Sequence, residues 1–267
     1  MRTLVLVALL AVLPAAALAQ PAAARPALLK DVGYDQKLGT TVPSDIVLRD
    51  EDGREVRFGD FLGRKPVVLN LVYFDCPMLC TITLNNLASA LATIAFDVGR
   101  EFDVVTVSFD SRETPPLAAA KKKAYVSRYG RPGADKGWHF LTGDAAQVAR
   151  LTDAVGFRYK WDEPTRQFAH PSGVLVLTPE GRIARYLYGI EYAPKDLRMA
   201  VVEAGGGRIG TPVDQAMLYC YQYNPTTGRY GLLTLRLVRG GAVLTVLALG
   251  GFIVTMRRKE LAMLRSR

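Results

Sequence analysis

Apolar residues recur along this chain with two different periods. The run KPVVLNLVYF (65–74) is apolar and rich in β-branched residues, the pattern of a central strand covered on both faces. From Leu79 to about Phe96 the apolar residues return at helical spacing: Leu79, Ile82, Leu84, Leu87, Leu91 and Ile94. A second strand follows in FDVVTVSFD (102–110). TPPLAAAKKKAYVSRYG then opens with Thr114 as an N-cap followed by prolines, and stops at Gly130. WHFLTG (138–143) reads as a short strand, DAAQVARLTDAVG (144–156) as a capped helix ending in glycine, and 194–204 as the last helix of the core. Two hairpins are marked by their turns, one in 46–58 around Asp52-Gly53 and one in 173–189 around Pro179-Glu180-Gly181. This alternation predicts an α/β domain with a mostly parallel sheet and helices on both faces. No internal repeat is visible.

The two ends set the compartment. The start, MRTLVLVALLAVLPAAALAQ, carries one Arg, an uncharged run and Ala17-Leu18-Ala19, a small-residue cleavage pattern, so residues 1–19 read as a signal peptide. Residues 20–42, rich in Ala and Pro at first, read as a linker, and 43–205 as the domain. From Gly240 to Met256 there is no charge, and such a helix covers about 25 Å, the short end of a membrane span. The span is placed at 237–256. The basic tail 257–267 follows, and its Arg257-Arg258-Lys259 cluster fits the cytoplasmic side. The expected topology is a single C-terminal span in a bacterial-type inner membrane with the main domain periplasmic, where disulfides are permitted.

The formal net charge of +9 raises the question of nucleic acid. The Lys and Arg residues are scattered, however. Lys121–Lys123 suits a solvated helix face, and 257–259 follows the apolar run, so no nucleic-acid partner is expected. The Gly-rich stretch 203–210 lacks the Lys of a phosphate-binding loop and reads as part of a Tyr-rich appendage or linker, 206–236, ahead of the membrane.

Two of the three cysteines, Cys76 and Cys80, stand in FDCPMLC, where the first central strand hands over to a helix. Sites in open α/β sheets gather at the carboxyl ends of strands. The positive end of the helix favours a thiolate there, and positions four apart share a helical face. The two sulfurs can therefore converge on one ion, bond to each other, or simply pack as small apolar side chains. Of the two histidines, His139 sits between Trp138 and Phe140 in a strand and suits a core or cross-strand role. His170 lies in the polar loop RQFAHPSG, held extended by Pro171, and is equally well read as a ligand or as an exposed loop residue.

Strand–CPMLC–helix, then SFDSRETP at a strand end, then AHPSGVLVLTPEGRI, together resemble the Sco/SenC family over roughly residues 40–205. The resemblance implies a membrane-tethered, thioredoxin-like protein that delivers copper to cytochrome c oxidase. It implies that Cys76, Cys80 and His170 bind one copper, Cu(I) or Cu(II), and that the dithiol can close to a Cys76–Cys80 disulfide. The implied partners are the copper-site subunit of the oxidase and a copper donor chaperone. Asp110 stands where the family has an Asp at the strand end, and a supporting or docking role is expected of it. The chain departs from the family pattern at Met78 and Thr81, where Asp and Pro are usual, and in its C-terminal rather than N-terminal tether.

Two thiolates and one imidazole are too few for a closed structural zinc site and suit Cu(I), with a tetragonal variant for Cu(II). Met78 is expected to pack over the site, with its thioether as an additional soft ligand in the alternative. The competing class is a thiol-disulfide oxidoreductase or peroxidase of the same superfamily. It is weakened by the C-x3-C spacing and by Tyr73 three residues before Cys76, where a peroxidase site has Thr. Cys220, among tyrosines of the appendage, reads as a packed residue or as a further thiol relaying copper.

Overall fold

A computed structural model describes residues 31–76, 79–206, 221–224 and 229–265. The ordered chain joins the fold earlier than its composition suggests. Gly33–Tyr34 (β1) pairs antiparallel with Phe157–Arg158, Thr41 bridges Arg182, and Val42 is fully buried. Residues 33–42, expected to be linker, therefore belong to the domain. A strand of two residues is too short to leave a periodic signature. Val47–Arg49 (β2) and Glu55–Arg57 (β3) form the first hairpin, with Gly53 at φ 80° in its turn.

Val67–Val72 (β4) is buried at every position, its five apolar residues joined by the buried Asn70. Each such Val or Leu stabilises the fold by about 1.5–3 kcal/mol through burial. Leu79–Thr93 (α1) leads to Asp103–Ser108 (β5), and Pro115–Tyr129 (α2) with the short turn Ala134–Gly137 (α3) leads to Trp138–Leu141 (β6). Thr114 is extended ahead of Pro115, and Gly130 ends α2 at φ 71° while its N–H donates to the Val126 carbonyl. Ala145–Ala154 (α4) is capped by Asp144, whose carboxylate accepts from the Gln147 N–H.

Phe157–Arg158 (β7) then closes on β1. Next come Lys160–Asp162 (β8) and Gln167–Ala169 (β9), a small antiparallel hairpin where the polar composition suggested only loop. Gly173–Leu177 (β10) and Ile183–Tyr188 (β11) form the last core hairpin, and Pro194–Ala204 (α5) follows. The central sheet has the order β11-β10-β4-β5-β6. β4–β5 and β5–β6 are parallel, while β10 runs antiparallel to both β4 and β11, so the sheet is mostly parallel in direction, with β10 as the one reversed strand. The hairpin inserts beside β4 instead of extending the parallel edge, and only long-range pairing decides that. Tyr221–Asn224 (β12) pairs with Arg229–Leu232 (β13). Leu233–Arg265 (α6) is one continuous helix that contains the expected span and runs through the expected tail.

Candidate metal centre

The cysteine corner is held by a carboxylate from an adjoining loop, which accepts from its backbone. Where β4 ends, the N–H groups of Phe74 and Asp75 donate to the Glu113 carboxylate, at 2.7 Å to Oε2 and 2.6 Å to Oε1. Cys76 follows, just ahead of the N-terminus of α1. The Cys80 N–H, in the first turn of α1, donates to Cys76 Sγ at 3.3 Å. Both thiols are buried and unbonded to each other as a disulfide. Pro77 and Met78 lie outside the described residues, as do residues 1–19, the expected signal peptide, and Cys220.

His170 reaches the corner through strand register. Val174 in β10 pairs with Asn70 in β4, and the antiparallel direction brings the chain entering β10 to the point where the chain leaves β4. His170 Nε2 lies 3.4 Å from Cys80 Sγ. Its Nδ1 lies 2.9 Å from the Pro171 carbonyl. With Nδ1–H donating to that carbonyl, Nε2 faces the sulfurs, where it would offer its lone pair to a cation once its own proton is lost. The ring packs between Phe109 at 5.1 Å and Tyr73 at 5.8 Å, centroid to centroid. The ligand atoms of Cys76, Cys80 and His170 all lie within 4.8 Å of one another.

The two thiols are electrostatically unequal. Cys76 is pushed down to about 3 by hydrogen bonding from the Cys80 thiol first, with His170 and Tyr73 adding to it, against burial that acts the other way. Donation from His170 requires a proton on Nε2, the proton a bound cation would displace. Cys80 is raised because it shares its proton with Cys76 and is buried. The Tyr73 hydroxyl is raised by burial and by its bond to Cys76.

His139 stands apart, its ring 4.7 Å from Phe61 and held below its ordinary value by burial. The Asp110 carboxylate accepts from Arg112 Nε at 2.8 Å and Nη2 at 2.7 Å. No role for Glu113 or Arg112 was legible in the sequence, which marked Tyr73 only as the residue that departs from a peroxidase site. Glu113 precedes the N-cap of α2 and reads locally as an ordinary acidic helix start. Its role depends on Phe74 and Asp75, a contact that periodicity does not encode.

Residues 35–204 match the SCO1/SenC family. The chain belongs to that family. The SCO1/SenC match thus covers the central sheet and the Cys76, Cys80 and His170 group that could hold a metal ion, and the fold is the thioredoxin-like α/β architecture with a C-terminal apolar helix. Among solved structures, a candidate electron transfer protein from Aquifex aeolicus VF5 is 31% identical with a TM-score of 0.57, covering 64% of this chain and 95% of that one. A SCO1/SenC family lipoprotein from Bacillus anthracis is 15% identical at a TM-score of 0.52, covering 66% and 100%. Copper-bound ScoI of Arabidopsis thaliana is 21% identical at 0.50, covering 61% and 97%. The last two likenesses concern the fold. Comparison with curated proteins finds no match.

Proposed function

We propose that this chain is an exported, membrane-tethered copper carrier that serves assembly of cytochrome c oxidase. Copper is its cargo. Cys76 Sγ, Cys80 Sγ and His170 Nε2 would hold the ion. The observation that carries this reading is the convergence of two sulfurs and one imidazole nitrogen within 4.8 Å at the end of β4. The donor set fits: soft thiolates suit Cu(I), and the imidazole with its lone pair free also suits Cu(II). Three protein ligands leave room for an incoming ligand from an acceptor, so the ion can pass by exchange. A Cys76–Cys80 disulfide cannot ligate, so the redox state of the pair would gate loading.

Tethering rests on Gly240–Arg258, a helix long and apolar enough to cross a membrane, with none of its apolar window buried against protein. Arg257 and Arg258 favour a cytoplasmic C-terminus and hence a periplasmic domain. The copper-site subunit of the oxidase would be the recipient and a separate chaperone the donor. Residues 1–19 act as the export signal in this reading.

A second reading is favoured by the inequality of the thiols. A low Cys76 beside a protonated Cys80 suits thiol-disulfide exchange, in which Cys76 attacks a substrate disulfide and Cys80 then displaces the reduced product. The substrate would be the paired cysteines of the recipient's copper site. Metal analysis of anaerobically purified, reduced protein decides between the two. One copper per chain, lost in Cys80→Ser, supports the carrier. No copper together with catalytic turnover of a dithiol-disulfide substrate supports the reductase.

A further inference from the structure

The loop after β5 touches both halves of the metal-ligand group through different residues. On one side, Glu113 binds the N–H groups of Phe74 and Asp75, which precede Cys76. Its Oε2 also accepts from Ser108 Oγ at 2.5 Å, and Ser108 Oγ in turn accepts from the Asp110 N–H at 3.1 Å. On the other side, Asp110 holds the Arg112 guanidinium by two bonds and aims it at the β8–β9 hairpin. The guanidinium carbon lies 4.7 Å from the Trp161 ring centroid and 5.4 Å from that of Phe168. Phe168 stands two residues before His170. An open recess of about 330 Å³ lies between loop and hairpin, and Phe109 and Arg112 reach across it.

We propose that Arg112 and Glu113 are positioning residues that divide the site between them: Arg112 sets His170 through the hairpin, and Glu113 sets Cys76 through the backbone before it. The inference rests on the reading of Cys76, Cys80 and His170 as one copper site. An exposed ion pair alone would contribute little, and the Arg112 side chain is 63% exposed. Its bidentate geometry and two aromatic faces give it direction, which a lysine cannot reproduce. The Glu113 contacts are partly buried and go to backbone, so they fix the position of the chain rather than of a side chain.

The test uses the full chain in detergent and two readouts that need no metal. Because the chain has two histidines, selective labelling gives two ring signals, and His170→Ala assigns one. The second readout is equilibration with glutathione, in which two Cys thiols and one glutathione disulfide give the Cys76–Cys80 disulfide and two glutathione thiols. Arg112→Gln should move the His170 signal toward that of a free imidazole and weaken Cu(II) binding about tenfold, with the glutathione equilibrium unchanged. Glu113→Gln, which sets an amide N–H against a backbone N–H, should shift that equilibrium about tenfold and leave the His170 signal in place. If Glu113→Gln does not fold, Glu113→Asp is read instead, with a smaller shift of the same kind. Either variant moving both readouts together, or leaving its own readout unmoved, overturns the division. If the parent protein takes up no copper, the carrier reading fails while both metal-free readouts still report on the two residues.

Discussion

The Cys80 sulfur lies 3.4 Å from Nε2 of His170, 90 positions further along the chain. The contact depends on β10 lying antiparallel against β4, in a register that sets Val174 opposite Asn70. Neither residue could reach the other if the hairpin joined the far edge of the sheet. The ligand group is therefore a product of strand order.

Removal of the imidazole should separate the two oxidation states of copper at the site. In His170→Ala, Cu(II) affinity should fall by more than the roughly 10- to 100-fold typical of changes outside the ligand shell. Cu(I), held by the two sulfurs, should lose less. Competition titrations with chelators for each ion check this, and unchanged Cu(II) uptake with an unchanged optical spectrum removes His170 from the site. Cys76→Ser and Cys80→Ser should each abolish retention of copper.

The inequality of the thiols predicts an unusual pH profile. Cys76 is lowered to about 3, so in reduced, metal-free protein its alkylation should persist at about pH 5, where ordinary thiols are inert. Cys80, raised by sharing its proton and by burial, should stay unmodified. The sign for stability follows. The lowered Cys76 contributes stability that is present above the ordinary thiol value and lost as pH falls toward about 3. The raised Cys80 contributes stability that is present below the ordinary thiol value and lost as pH climbs above it. The reduced domain should therefore be most stable near the ordinary thiol range, and Cys76→Ser should flatten the acid side. Thermal melts across pH, with peptide mapping of the alkylated chain, test both statements.

Gly156 should tolerate no side chain. It sits at φ 64°, and a Cβ there would come within 1.9 Å of the Asp35 carbonyl oxygen. The same junction carries the Asp35 N–H to Gly156 carbonyl bond that ties β1 to β7. Gly156→Ala should destabilise the domain by about 3 kcal/mol through backbone strain and overpacking. A denaturant midpoint within error of the parent would show that residues 33–35 are not anchored this way.

The span predicts partitioning. Deletion of 237–267 should release the domain from membranes under alkaline carbonate extraction. Leu247→Arg, near the middle of Gly240–Arg258, should oppose insertion by about 3 kcal/mol. Retention of the truncated chain in the membrane pellet would point to an anchor elsewhere, the N-terminal segment first.

The sequence by itself determined the order of the strands of the central sheet and of the helices between them, and the corner where Cys76 and Cys80 sit. It also marked the helix start at Thr114, which makes no side-chain capping bond, the cap at Asp144, the stop at Gly130 and the apolar stretch of α6. Each of these is written in a local period or a single residue's backbone preference, and the family motif added His170. Only the tertiary structure decided that β10 runs against the other strands of the central sheet, that 33–42 packs into the fold, and that His170 leaves a hairpin rather than a bare loop. The Glu113 hold on Phe74 and Asp75 and the Arg112 contact with Trp161 and Phe168 belong with these. Such contacts join residues tens of positions apart, and their energy depends on register and burial, which no window along the chain contains.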